Sequence, residues 1–178
     1  MRVISLVFLM FGVSSLLAQK VDKYAACCGA EPVEYTYSDM SIYVPNVFTP
    51  NKDSLNDLFF PHLSGSVAEV IDFTILTSVG DTVLFYRPTI YYKDLDNYGW
   101  NGLIDGYKEP FIGSFRYFLK IFNKKGDTQL IKGRACRLEC SADADALIDK
   151  QGCYYPDQVG LGGKVDKTKK TKEKKCKG

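Results

Sequence analysis

Apolar and polar residues alternate with a period of two through most of 41–131, the period of a half-buried β-strand. In 67–77, Ile71, Phe73 and Ile75 share the more apolar face, with Val70, Asp72, Thr74 and Leu76 opposite. In 114–122, Phe115, Tyr117, Leu119 and Ile121 form one apolar face; Arg116, Phe118, Lys120 and Phe122 form a mixed one. Such a mixed face marks Phe118 and Phe122 as a candidate partner surface. A first core strand is predicted at 41–48 and a short extended piece at 58–62. The turn 78–81, with Gly80, joins 67–77 to a return strand at 82–86. The turn 123–126 joins 114–122 to a return strand at 127–131. Residues 88–92 read as a short strand or an extended connection, and 93–97 as a polar loop. Trp100, between Gly99 and Gly102, is expected to plug the core together with Phe73, Phe115 and Tyr117, glycine letting the backbone approach closely. Short strands at regular spacing, with no long amphipathic helix, predict an all-β sandwich over 41–132.

The ends of the chain break this pattern. Arg2 precedes an apolar run at 3–17, and Ala18-Gln19 follows. The run falls short of the ~20 residues that a membrane span needs, so 1–18 reads as a secretory signal peptide, with no transmembrane segment after cleavage. Residues 19–40 lack a clear period and read as an irregular, cysteine-containing lead-in. Residues 133–163 read as a cysteine-rich extension, with a helical turn at 142–147 capped by Ser141. Residues 164–178 hold eight Lys against Asp166 and Glu173, a charge of +6. The whole chain is +2, so a mildly acidic body of −4 carries a basic tail that reads as flexible.

Export changes the meaning of the cysteines. Cys27, Cys28, Cys136, Cys140, Cys153 and Cys176 are even in number, which in an exported chain reads as disulfides. Adjacent Cys27 and Cys28 are expected to bond elsewhere than to each other, with at least one bridge stapling the N-terminal segment to the C-terminal one. The pairing itself stays open, and a zinc site using Cys136 and Cys140 is the rival reading.

Candidate chemistry is sparse. The single His62 supports no catalytic set, the three residues between Cys136 and Cys140 do not make a redox C-x-x-C, and no phosphate-cradling glycine loop occurs. The loop Asn51-Lys52-Asp53-Ser54-Leu55-Asn56-Asp57 gathers oxygen donors of the kind that calcium takes, with Asn51, Asp53 and Asp57 as ligands. The alternative is an Asx-turn network in which the same side chains bond the loop's own backbone. The basic tail reads as a solvated terminus rather than a nucleic-acid contact.

The ordered motifs also carry a resemblance. The sequence VPNVFTPNKDSLND at 44–57, FTILTSVGDTVLF at 73–85, Gly99-Trp100-Asn101-Gly102, and KEPFIGSFRYFLKI at 108–121 follow one another over the chain. Together they resemble the gliding-motility-associated C-terminal domain of Bacteroidota, the type B sorting domain of the type IX secretion system. Lys52 and Ser54 stand where that family has glycine, and Asn101 where it has Asp. The resemblance implies an immunoglobulin-like antiparallel β-sandwich, here with a small disulfide-rich C-terminal extension. It further implies export to the cell surface or outer membrane and a barrel partner of the PorP/SprF type. The expected function is therefore non-enzymatic: a small subunit or partner of a secretion- or gliding-related surface complex that acts by protein–protein binding. The alternative expectation is a small secreted ligand-binding or enzymatic domain on the same scaffold.

Overall fold

The computed structural model describes residues 23–24, 26–105 and 108–141, with two short strand segments at 158–159 and 165–166. The stretch read as a signal peptide, the stretch 142–147 read as a helical turn, Cys153, Cys176 and most of the basic tail lie outside these residues. The strands are β1 (Val33–Tyr37), β2 (Met40–Val44), β3 (Val47–Phe48), β4 (His62–Ser64), β5 (Val67–Thr77), β6 (Val83–Tyr91), β7 (Gly113–Asn123), β8 (Thr128–Arg137), β9 (Gln158–Val159) and β10 (Val165–Asp166). One sheet has the order β1-β2-β4 and a larger one the order β3-β8-β7-β5-β6, while β9 and β10 pair with each other. Every pairing is antiparallel except β3 with β8.

The two larger sheets form a β-sandwich. Met40, Ile42 and Val44 of the small sheet join Phe73, Ile75, Phe115, Tyr117, Leu119 and Ile121 of the large one in a single buried cluster. One end of this core is aromatic. Phe115 meets Phe59 and Trp100 edge-on, at centroid distances of 4.9 and 5.0 Å, a favoured ring geometry. Trp100 is buried, its backbone exchanges hydrogen bonds with Phe59, and its indole Nε1–H donates to the Leu103 carbonyl at 2.6 Å.

Several boundaries differ from the sequence pattern, each for a physical reason. The predicted strand at 41–48 is two strands in two sheets. Proline fixes φ and donates no hydrogen bond, so the chain leaves β2 at Pro45 and enters the large sheet as β3. The alternation in β5 changes phase. Val70 is buried, as are Phe73 and Ile75, because the ladder to β7 shifts register between Ile71 and Thr74. Asp72, at φ 54°, sits in this bulge. Strand β6 continues through Pro88 to Tyr91, which an edge strand allows. Residues 92–97 form a 3-10 helix in place of a plain loop. Strand β8 runs on to Arg137, inside the stretch read as extension, and β1 lies inside the stretch read as irregular lead-in.

A disulfide joins Cys27 to Cys136 across 109 residues of chain, tying the lead-in to the end of β8. Tyr24, Val47 and Leu138 pack around it as a second, smaller core. Cys28 and Cys140 are disulfide-bonded as well, so neither is available as a zinc ligand.

Candidate interaction face and polar loop

The loop after β3 is closed by its own amides. The Thr49 N–H donates to the Asn56 carbonyl at 2.8 Å. Lys52, Ser54 and Asn56 take φ values of 65°, 69° and 50°, so left-handed residues alternate along the loop. This alternation turns successive N–H groups inward and builds a cradle for an anion. The occupant is the Asp57 carboxylate, whose two oxygens accept from Lys52 N–H at 2.6 Å and Ser54 N–H at 2.8 Å. Asn51 Oδ1 accepts from Asp53 N–H, and Asp53 Oδ1 from Leu55 N–H, both at 2.9 Å. All three predicted calcium ligands thus accept amide hydrogen bonds within the loop, Asn51 and Asp53 as Asx-turns to the residue two ahead and Asp57 from Lys52 and Ser54 before it. Among the described residues no group of three or more His, Cys, Asp or Glu is placed to hold a metal ion.

Beside this loop, Pro45, Phe48, Asp57, Phe60 and His62 border a groove of about 380 Å³. His62 is half-buried and lies against the rings of Phe60 and Tyr43, at 4.6 and 5.8 Å. Burial disfavours the imidazolium and pushes the His62 pKa down to about 4, against a weaker opposing pull from the Asp96 carboxylate. The ring is therefore neutral at pH 7 and serves as an aromatic wall of the groove.

The outer face of the large sheet carries the other candidates. On the central strand β7, Phe118 is 38 % exposed, with Thr74 of β5 on one side and Lys132 of β8 on the other. Phe122 lies on the same face, partly buried, between Glu69 and Thr128. Long cations frame the two rings. Arg116 pairs with Asp81, and Lys120 with Asp72 at 3.0 Å. The Lys120 hydrogen bond, its charge and the Tyr86 hydroxyl hold the Asp72 carboxyl below its usual range. Leu130, directly across from Lys120, is 54 % exposed, and Tyr86 adds a further exposed ring. The result is an apolar strip set among charges that are partly paired with one another.

Of the residues singled out from the sequence, Trp100, Phe73, Phe115 and Tyr117 come together in the core, and Phe118 and Phe122 share the outer face. The loop of Asn51, Asp53 and Asp57 lies apart, at the end of β3. Arg137 was missed. It is 8 % exposed, its Nε and Nη1 have no hydrogen-bond partner among the described residues, and burial lowers its pKa. Gly102, at φ 84°, packs directly on it, and a Cβ there would lie 2.3 Å from Nε. The alternation Ile131, Gly133, Ala135, Arg137 carried this signal, since it puts Arg137 in phase with the core face of β8. No protein-family model, no curated protein and no solved structure matches the chain.

Proposed function

We propose that this chain is an exported, non-enzymatic binding module that docks on a protein partner through the outer face of its large sheet. The observation that carries the reading is Phe118. A phenylalanine exposed on a central strand, with Leu130 diagonal to it on the next strand and Phe122 farther along beyond Lys120, forms an apolar anchor within a polar rim. That is the anatomy of a protein–protein contact, in which aromatic residues at the centre carry much of the binding energy. The leader pattern at the N-terminus, the disulfide framework and the sequence resemblance to the type B sorting domain support a place at the bacterial cell surface. On this reading the partner is an outer-membrane barrel of the PorP/SprF type or another subunit of a surface complex. The test is purification of the tagged protein from its own cells in gentle detergent, followed by mass spectrometry. Stoichiometric recovery of an outer-membrane protein supports the proposal. Recovery of the chain alone from the medium contradicts it and favours a ligand in the groove bordered by Phe60 and His62.

A further inference from the structure

Four strands lie at the margins of the two large sheets, and three of them are closed to further pairing. Strand β3 has only two residues and β4 only three, and the Leu63 carbonyl of β4 already accepts from the Tyr92 hydroxyl at 3.0 Å. Strand β6 is longer, but Pro88 interrupts it. Its Tyr86 N–H donates to the Asp105 carboxylate, and its Leu84 carbonyl accepts from the Asp105 N–H at 2.9 Å. These are the devices that blunt an edge. Strand β1, VEYTY, shows none of them among the described residues. It contains no proline and no lysine, its ladder with β2 is regular over five residues, and Glu34, Thr36 and Tyr37 are exposed.

The hairpin fixes which main-chain groups are open. Tyr37 and Met40 close a two-residue turn, with Ser38 at φ 55°, so they form a hydrogen-bonded pair. Val33 and residue 35 therefore also bond to β2, and Glu34 and Thr36 point their N–H and C=O groups away from the sheet. The tip of the hairpin is held in place. Asp39 accepts from the Ser66 hydroxyl at 2.6 Å and pairs with Lys125 at 3.2 Å.

We infer that β1 is the strand through which a second copy of this chain pairs, antiparallel and two-fold about residue 35. In that register Glu34 lies opposite Thr36 of the copy, and the two exchange main-chain hydrogen bonds, twice over. Val33 lies opposite Tyr37, a β-branched and aromatic pair of the favoured kind. Glu34 never lies directly opposite its own image, the two copies of it standing on a diagonal ~7–8 Å apart, so no like charges face each other and the edge can pair with itself as it stands. Five residues make a small interface, so the dimer is concentration-dependent and not obligate.

Sedimentation of the exported chain across the micromolar range reads this directly, with three substitutions at one position. Thr36→Glu sets two carboxylates opposite each other at both ends of the register and raises the dimer dissociation constant about tenfold. Thr36→Lys creates two opposite-charge pairs and lowers it by a similar factor. Thr36→Pro removes an outward N–H, leaves the β1–β2 ladder intact, and abolishes the dimer. A mass that stays monomeric throughout overturns the inference. So does a dimer that responds to none of the three, or one that responds equally to Glu and Lys.

Discussion

Trp100 shows how much one side chain decides here. Its ring lies within 5.4 Å of Phe48 and 5.0 Å of Phe115, and its indole N–H is satisfied by Leu103. Trp100→Ala empties the aromatic end of the core and is expected to cost ~3–5 kcal/mol, read as a lower midpoint in thermal or urea unfolding. An unchanged midpoint would remove the core role assigned to it. His62 makes a separate prediction through pH. The unfolded chain takes up a proton on this ring at its ordinary value of 6.5, the folded chain only at about 4. Between these values the unfolded state binds more protons, so stability is intact above pH 6.5 and falls as pH drops toward 4. The full difference is ~3 kcal/mol. A His62→Gln variant should lose this slope, while the loss below pH 4 from Asp39 and Asp72, whose carboxyls are held low, should persist in both proteins.

At the scale of elements, the alternation of β7 could be read directly, because a central strand with one fully apolar face leaves no ambiguity. The phase change in β5 was visible only as imperfect alternation, since a bulge adds one residue and flips every side chain beyond it. The lead-in hid β1 because its pattern, VEYTY, is too short and too exposed to show a period. The polar loop could be read as a specified shape, but not as an anion cradle. The left-handed residues are Lys52, Ser54 and Asn56, and glycine was absent where its presence would have announced positive φ. The Cys27–Cys136 bridge belongs to this scale as well. It closes a long loop, so replacing both cysteines with serine should cost ~4 kcal/mol by releasing the unfolded chain. A denaturant midpoint equal to that of the parent protein would contradict a structural role for the bridge.

For the whole molecule, the sheets and the disulfide make a rigid platform, and the proposed function lies on its outer face. Core positions announce themselves by period, but a binding face is an exception to period: Phe118 and Phe122 are aromatic where the strand pattern calls for polar residues. That is why an exposed aromatic pair could be read from the sequence, while nothing in the pattern says what would cover it. The most direct test compares the tagged parent protein with Phe118→Asp in the same native-cell purification. Phe118 is 38 % exposed and Asp is a poor strand former, so the substitution should lower the unfolding midpoint modestly, by about 1 kcal/mol, and leave the protein folded. An outer-membrane partner should come down in stoichiometric amount with the parent and be lost with Phe118→Asp. Equal recovery of that partner by a folded Phe118→Asp protein would show that the outer face of the large sheet is not where this chain binds.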